Sequence, residues 1–212
     1  MTTFTYPLDR TAYLLVDPYN DFLAEGGKVF PHIKPIAEQV HLLDNLRTLD
    51  KTVRGLGLQV AIVPHRRWEQ GDYDNWNHPS PTQCKVQHMH HFARGEWGGE
   101  WHPDFAPQPG DIVAQEHWGS SGFANTDLDF RLKQQGVTHV IIVGLLANTC
   151  IEATARYAVE LGYHVTLVRD ATAALNPELM HAAHDLNGPT FAHSIVTTAE
   201  LVSLLAPKAH AD

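Results

Sequence analysis

The feature that most constrains the fold of this chain is a series of short, largely apolar runs separated by segments of helical periodicity. The runs are AYLLV at 12–16, QVAIV at 59–63, DIVA at 111–114, HVIIV at 139–143 and HVTLV at 164–168. Strands without polar alternation must be covered on both faces, as in a parallel sheet. With a last strand at 194–197, they predict an α/β fold: a three-layer, doubly wound sheet of about six mostly parallel strands with helices on both faces.

The segments between these runs predict the helices of the outer layers. Their apolar residues recur at helical spacing over 36–56, 126–135, 149–161, 177–186 and 199–205. Gly136 and Gly162 follow two of these segments, where a glycine commonly ends a helix. For 212 residues we expect a single domain over 1–212, carrying a long irregular insertion rich in His and Trp at about 65–110.

The insertion at 65–110 shows no hydrophobic period. All five tryptophans of the chain lie between Trp68 and Trp118, and this aromatic content argues against disorder. Two interpretations stay open: a packed surface loop with a small aromatic core, or a wall over a pocket. In QHMHH at 87–91, His88 and His90 could lie on one side of an extended strand, but no further metal motif accompanies them, so we expect no metal and no cofactor.

Composition excludes several classes of partner. The net charge of −9 argues against binding to nucleic acid or to an anionic membrane surface. No apolar run reaches the ~18 to 20 residues of a spanning helix, and the first ten residues lack the order of a signal peptide. With only two cysteines, a soluble protein of the reducing cytoplasm is expected.

Position in the sheet selects the candidate catalytic residues, because ligands bind at the carboxyl ends of parallel strands. Cys150 is expected in the first turn of a helix, where free backbone amides would favour the thiolate, although an inert buried cysteine is the common alternative. Asp17 ends the first strand, either as a partly desolvated general base or as a turn-forming residue. His117 follows the third strand, as a charge partner or as an imidazole packed on Trp118. Cys84 is expected to be inert.

Three segments carry a resemblance to a known family. AYLLVDPYNDF, EHWGSSGFANTDLDFRL and VGLLANTCIEATARYAVELGYHVTLVRDATAA are similar to segments of the isochorismatase-like cysteine hydrolases. That superfamily includes nicotinamidases and N-carbamoylsarcosine amidases. The resemblance covers 11–63 and 110–204 and implies the same doubly wound sheet.

The resemblance also implies roles for individual residues. The family's catalytic trio is an Asp, a Lys and a Cys; Asp17 and Cys150 match the first and the last. The lysine position, four residues before Ser121, is occupied by His117, and its neighbour Glu116 is the alternative for the role. An oxyanion hole formed by the Leu146 and Cys150 amides is implied, with a cis peptide between residues 145 and 146.

The implied activity is hydrolysis of an amide or related C–N bond of a small molecule through a thioester. An isochorismatase-type vinyl ether hydrolase and a catalytically silent binding protein remain as alternatives. His65, Trp118 and Phe123 are expected to bind substrate. His65 has no neighbouring Asp, so the metal-binding pattern of nicotinamidases is incomplete. A homo-oligomer, dimer or tetramer, is expected from the family; the substrate itself is not specified.

Overall fold

The computed structural model describes residues 6–206, which form a three-layer structure around one parallel sheet. The strands are β1 (Thr11–Val16), β2 (Gln59–Val63), β3 (Ile112–Val113), β4 (His139–Leu145), β5 (His164–Ala173) and β6 (Ser194–Val196). Every neighbouring pair is parallel, in the order β3-β2-β1-β4-β5-β6. The predicted α/β doubly wound fold is confirmed.

The strand order places a switch point beside the central strand β1. The chain moves outward through β2 and β3, then returns to pair β4 with the other side of β1. Helices that follow β1 and β4 therefore leave on opposite sides and open a crevice at the carboxyl ends of these strands. All six residues of β1 are buried.

Eight α-helices lie within residues 6–206. They are α1 (Asn20–Leu23), α2 (Phe30–Gln39), α3 (Leu42–Gly55), α4 (Pro81–Met89), α5 (Leu128–Gln134), α6 (Glu152–Glu160), α7 (Pro177–His181) and α8 (Thr198–Leu205). Alternate residues of β1 belong to two different hydrophobic clusters: Tyr13 and Leu15 to one, Leu14 and Val16 to the other. The sheet is thus covered on both faces. None of these helices is both long and apolar enough to span a bilayer.

The single helix predicted over 36–56 is two helices in the structure. Helix α2 begins earlier, at Phe30, and the chain breaks at His41, whose φ of 54° is left-handed. Both helices keep an apolar face against the same cluster. Because of that, the hydrophobic spacing continues across the break and does not reveal it.

The insertion contains a helix that the sequence pattern did not predict. Helix α4 has a full capping box, in which Ser80 accepts from the Gln83 amide and the Gln83 side chain accepts from the Ser80 amide. Only Val86 of this helix is buried, which explains the missing hydrophobic period. Residues 87–91 do not form the extended strand that the His-x-His spacing would allow: His88 lies in the last turn of α4, and His90 is its left-handed C-cap.

Candidate active site

Three side chains from three strand ends meet at the carboxyl edge of the sheet. Asp17 follows β1, His117 follows β3, and Cys150 follows β4. One ligand-type atom from each lies within 4.8 Å of those of the other two, and all three residues are buried. The structure therefore brings together the three residues that the sequence nominated separately.

Asp17 leaves β1 through a left-handed backbone conformation. Its φ is 57°, a value that Asp tolerates better than most side chains. The turn is closed by backbone hydrogen bonds, from the Asp17 amide to the Val63 carbonyl (3.0 Å) and from the Tyr19 amide to the Asp17 carbonyl (2.8 Å). The carboxylate faces His117 through Oδ1, so Asp17 is more than a turn former. Its Oδ2 is buried and has no hydrogen-bond partner among residues 6–206.

His117 is held with both ring nitrogens facing hydrogen-bond acceptors. Nδ1 donates to the Gly119 carbonyl at 2.8 Å, and Nε2 lies 3.0 Å from Asp17 Oδ1. Burial alone would lower the pKa of His117, but the charge of Asp17 and the hydrogen bonds to Asp17 and Gly119 outweigh it. The pKa is raised above its ordinary value of 6.5. A fully enclosed imidazolium beside a carboxylate is the state that this geometry favours.

Cys150 differs from expectation in two respects. It lies in a π-helical turn, Ala147–Ile151, ahead of α6, and no side chain caps that turn. Its pKa is not lowered: burial and then the charge of Asp17 raise the pKa of the thiol well above its usual range, against smaller opposing effects of Thr149 and the Leu146 amide. The correction has a simple cause, since a buried thiol next to a carboxylate loses more solvation than a helix end returns. The resting group is a neutral thiol.

The backbone before Cys150 has the conformation implied by the resemblance. The peptide bond between Leu145 and Leu146 is cis, so that prediction is confirmed. The Leu146 amide interacts with the Cys150 sulphur. A carbonyl carbon attacked by that sulphur would carry its oxygen close to this amide.

Cys150 lines a cavity of about 160 Å³ that is open to solvent on one side. Its lining combines the ends of β2 and β4 with the insertion, which contributes His65, Thr82, Lys85, Val86, His91 and Phe92. These six residues of the insertion therefore form part of the wall of a pocket, which was one of the two interpretations that the sequence left open. Tyr73, Trp76 and Trp118 form a separate aromatic cluster, with ring centroids 5.0 to 5.7 Å apart.

Of the three residues expected to bind substrate, only His65 lines this cavity. Its Nδ1 donates to the Arg66 carbonyl at 2.9 Å. Burial, followed by the charge of His117, lowers the pKa of His65 to about 4. The ring is therefore neutral at physiological pH, and its Nε2 is an acceptor.

Trp118 and Phe123 lie elsewhere, which corrects their expected placement. The Arg66 guanidinium carbon lies 4.6 Å from the Trp118 ring centre, while Phe123 is buried against Tyr163 in the core, with ring centroids 5.6 Å apart. The sequence positions of Trp118 and Phe123 did not distinguish a pocket lining from packing elsewhere in the protein.

Asp17, His117 and Cys150 are the one group within residues 6–206 whose His, Cys, Asp or Glu atoms are close enough together to hold a metal ion. Carboxylate, imidazole and thiolate are ligands that Zn²⁺ accepts. The 3.0 Å separation between His117 Nε2 and Asp17 Oδ1 is that of a direct hydrogen bond. Hydrogen bonding alone accounts for this pair.

The sequence pattern missed the contribution of α4 to the cavity. Thr82, Lys85 and Val86 are spaced i, i+3 and i+4, so they share one face of the helix. The signal was present: Ser80 and Gln83 have the spacing of a capping box, which marks a helix start even without hydrophobic periodicity.

Comparisons with known proteins agree with this architecture. The isochorismatase domain family matches residues 11–200. A ureidoacrylate amidohydrolase, RutB, of Caulobacter vibrioides is 28% identical over 207 residues, covering 92% of this chain and 91% of the relative. RutB of Pantoea ananatis is 27% identical over 193 residues, covering 86% of this chain and 76% of the relative.

Solved structures share the fold. A cysteine hydrolase from Pseudomonas syringae pv. phaseolicola superposes with a TM-score of 0.79 at 24% identity, covering 95% of each chain. An N-carbamoylsarcosine amidase from Thermoplasma acidophilum superposes with a TM-score of 0.67 at 26% identity, covering 89% of this chain and 96% of its own.

Proposed function

Because this chain belongs to the isochorismatase domain family, we propose that it is a cysteine hydrolase that cleaves an amide or related C–N bond of a small molecule. The observation that carries the proposal is the convergence of the Asp17, His117 and Cys150 side chains within 4.8 Å, with Cys150 lining a cavity. Nucleophile, base and cation are the three parts that acyl transfer through a thiol requires.

The first half of the reaction starts from a neutral thiol. Asp17 takes the proton of Cys150 as the sulphur attacks the substrate carbonyl, and its unpartnered Oδ2 supports this role. The negative charge thereby moves from carboxylate to sulphur and then to the carbonyl oxygen. The amides of Leu146 and Cys150 stabilise that oxyanion.

The second half returns the proton and releases the product. Asp17, now protonated, gives its proton to the departing nitrogen as the C–N bond breaks, which leaves a thioester on Cys150. Asp17 then removes a proton from water, the hydroxide attacks the thioester, and the thiolate that leaves is reprotonated. Atoms and charge balance with one water consumed per C–N bond broken.

His117 takes the role of the cationic residue in this scheme. While Asp17 is protonated, the imidazolium of His117 is a positive charge within 4.8 Å of the buried sulphur. It stabilises the thiolate without giving up a proton. Its hydrogen bonds to Asp17 and Gly119 support a positioning role for the ring as well.

The names of the relatives favour a class of substrate. One is called a ureidoacrylate amidohydrolase and another an N-carbamoylsarcosine amidase, so ureido and carbamoyl compounds come first. We further propose that the protein acts in the cytoplasm, without a cofactor, as a homodimer or homotetramer.

The test is ammonia release from a panel of primary amides, ureides and carbamoyl compounds. Purified enzyme should hydrolyse at least one of them, and Cys150→Ala should lower turnover by about 10³-fold or more. The matched control is Cys84→Ala, because Cys84 is exposed and lies outside the cavity. Turnover that survives Cys150→Ala, as in vinyl ether hydrolysis that needs only Asp17, would contradict the proposal, and so would an inert wild-type protein.

A further inference from the structure

The catalytic cavity has an unusual balance of charge. Among its lining residues, none is Asp or Glu, and Lys85 is the one Lys or Arg. The two histidines of the wall are uncharged at neutral pH, because burial is the largest of the effects that lower the pKa values of His65 and His91 to about 4. Lys85 therefore supplies the only full charge on the cavity wall.

The charges beneath the cavity cancel one another. Asp17 and His117 form a pair with side chains that are 0% exposed, and neither lines the cavity. A carboxylate and an imidazolium 3.0 Å apart present little net field to a ligand beyond Cys150. The positive charge of Lys85 has no carboxylate partner among the residues that line the cavity.

Other cations of the insertion are already occupied. Arg66 pairs with Asp72 at 2.9 Å, Arg67 with Glu116 at 2.7 Å, and Arg94 with Glu116 at 2.8 Å. By contrast, no hydrogen bond or ion pair within residues 6–206 engages the Lys85 ammonium group. The two arginines that follow β2, Arg66 and Arg67, are thus paired with carboxylates of the protein itself.

Helix α4 places Lys85, an exposed residue, at the edge of the cavity. The helix starts with the capping box of Ser80, and Gln83 donates from Nε2 to the Trp118 carbonyl at 2.8 Å. Gln87 donates to Asp74 at 2.7 Å. These bonds tie one side of the helix to the rest of the insertion, while Thr82, Lys85 and Val86 face the cavity.

We propose that Lys85 binds an anionic group of the substrate, so that the cavity selects acyl compounds with one negative charge at the end remote from the scissile bond. The hydroxyl groups of Thr82 and Ser120, which also line the cavity, are suited to share the hydrogen bonds of a carboxylate. Apolar side chains such as Val86, Phe92 and Leu146 contact the carbon chain between the two polar ends. The part of this inference that concerns the substrate rests on the proposed function. The preference of the cavity for an anion over a neutral molecule does not.

The kinetic test compares matched substrates in matched variants. For a ureido acid and its neutral carboxamide analogue, Lys85→Gln should raise KM for the acid about ten- to hundred-fold, leaving kcat and the analogue's KM within about twofold. Lys85→Arg should retain preference for the acid, and Lys85→Glu should reverse it. The control is Lys51→Gln, which removes an exposed lysine of α3 outside this cavity. An unchanged acid-to-analogue ratio in Lys85→Gln would overturn the inference.

A second measurement does not depend on turnover. Iodoacetate is anionic and iodoacetamide is neutral. The rate at which iodoacetate alkylates Cys150, divided by the rate for iodoacetamide, therefore reports the local electrostatic potential. In a Cys84→Ser background, read by peptide mass spectrometry, this ratio should fall about threefold or more in Lys85→Gln and stay constant in Lys51→Gln. Added salt should shrink the difference. If wild type hydrolyses nothing yet the ratio falls, the proposed function fails and the anion site stands; a ratio that does not fall removes the anion site.

Discussion

His117 Nε2 lies 3.0 Å from Asp17 Oδ1, and both side chains are completely enclosed. Taken singly, each charge would be costly to bury, and each is retained because the other compensates it. The other ring nitrogen donates to the Gly119 carbonyl, so the imidazole has a proton for each partner. The site thus keeps a positive charge next to the sulphur of Cys150 before any substrate arrives.

This pair predicts how activity depends on pH. The pKa of His117 is raised in the folded protein, so its protonated form is stabilised by folding. That contribution is fully present below the ordinary pKa of 6.5 and is lost as pH rises through the folded pKa. We expect kcat/KM to decline as pH rises through the pKa of His117 in the folded protein. The free energy of unfolding should fall over the same pH range.

The pH profile is measured between pH 6 and 10 on protein shown to stay folded. His117→Lys should move the alkaline decline to higher pH, because an ammonium group loses its proton later than an imidazolium. A wild-type rate that is flat from pH 6 to 9, after correction for stability, would remove the cationic role of His117.

Asp17→Asn separates proton transfer from nucleophile reactivity. The amide cannot take the thiol proton or return it to the leaving nitrogen, so turnover should fall by about 10³-fold or more. Alkylation of Cys150 by iodoacetamide should persist, because the charge of Asp17 raises the pKa of that thiol. Loss of both turnover and alkylation would point to a collapsed site, which the exposed control Asp9→Asn would not share.

We expect Glu116 to affect catalysis although it does not line the cavity. Its carboxylate accepts from Arg67 Nε at 2.7 Å, from Arg94 Nη2 at 2.8 Å and from Arg66 Nη1 at 3.3 Å. These contacts tie three segments together next to His117. Glu116→Gln keeps the shape but removes the charge, and should lower the free energy of unfolding by about 1 to 3 kcal/mol.

The catalytic readout for this variant is kcat, which should fall several-fold because the backbone that carries His117 is less restrained. Glu160→Gln, at an exposed position of α6, is the control and should change neither value. A kcat equal to that of the wild type, with lower stability, would limit Glu116 to a structural role.

Gly144 lies where β4 passes β1 just below the site. Its φ is +112°, and a Cβ there would stand 2.2 Å from the Val16 carbonyl oxygen. Gly144→Ala should destabilise the fold by about 2 kcal/mol or more, measured by denaturant unfolding, and should lower activity by displacing the strand before Asp17. Gly55→Ala, with no atom within 4 Å of its Cβ, should be tolerated; equal stability of the two variants would refute this account.

The sequence predicted the framework of the site well because the framework depends on local patterns. Apolar runs identified the strands, and their ends nominated Asp17, His65, His117 and Cys150, all of which the structure places at one edge of the sheet. The resemblance added the cis peptide after Leu145. Trp118 and Phe123 were misplaced because an aromatic side chain packs equally well outside a pocket, Trp118 against Tyr73 and Trp76 and Phe123 in the core.

The sequence by itself determined where the apolar runs lie along the chain and which residues follow them. A strand that is buried on both faces consists of apolar residues, so its position can be recognised from local composition. Only the tertiary structure decided that the Cys150 thiol is neutral at rest, that the arginines beyond β2 are paired, and that Lys85 is not. Solvation and charge pairing depend on groups distant in the chain, and no local pattern encodes those distances.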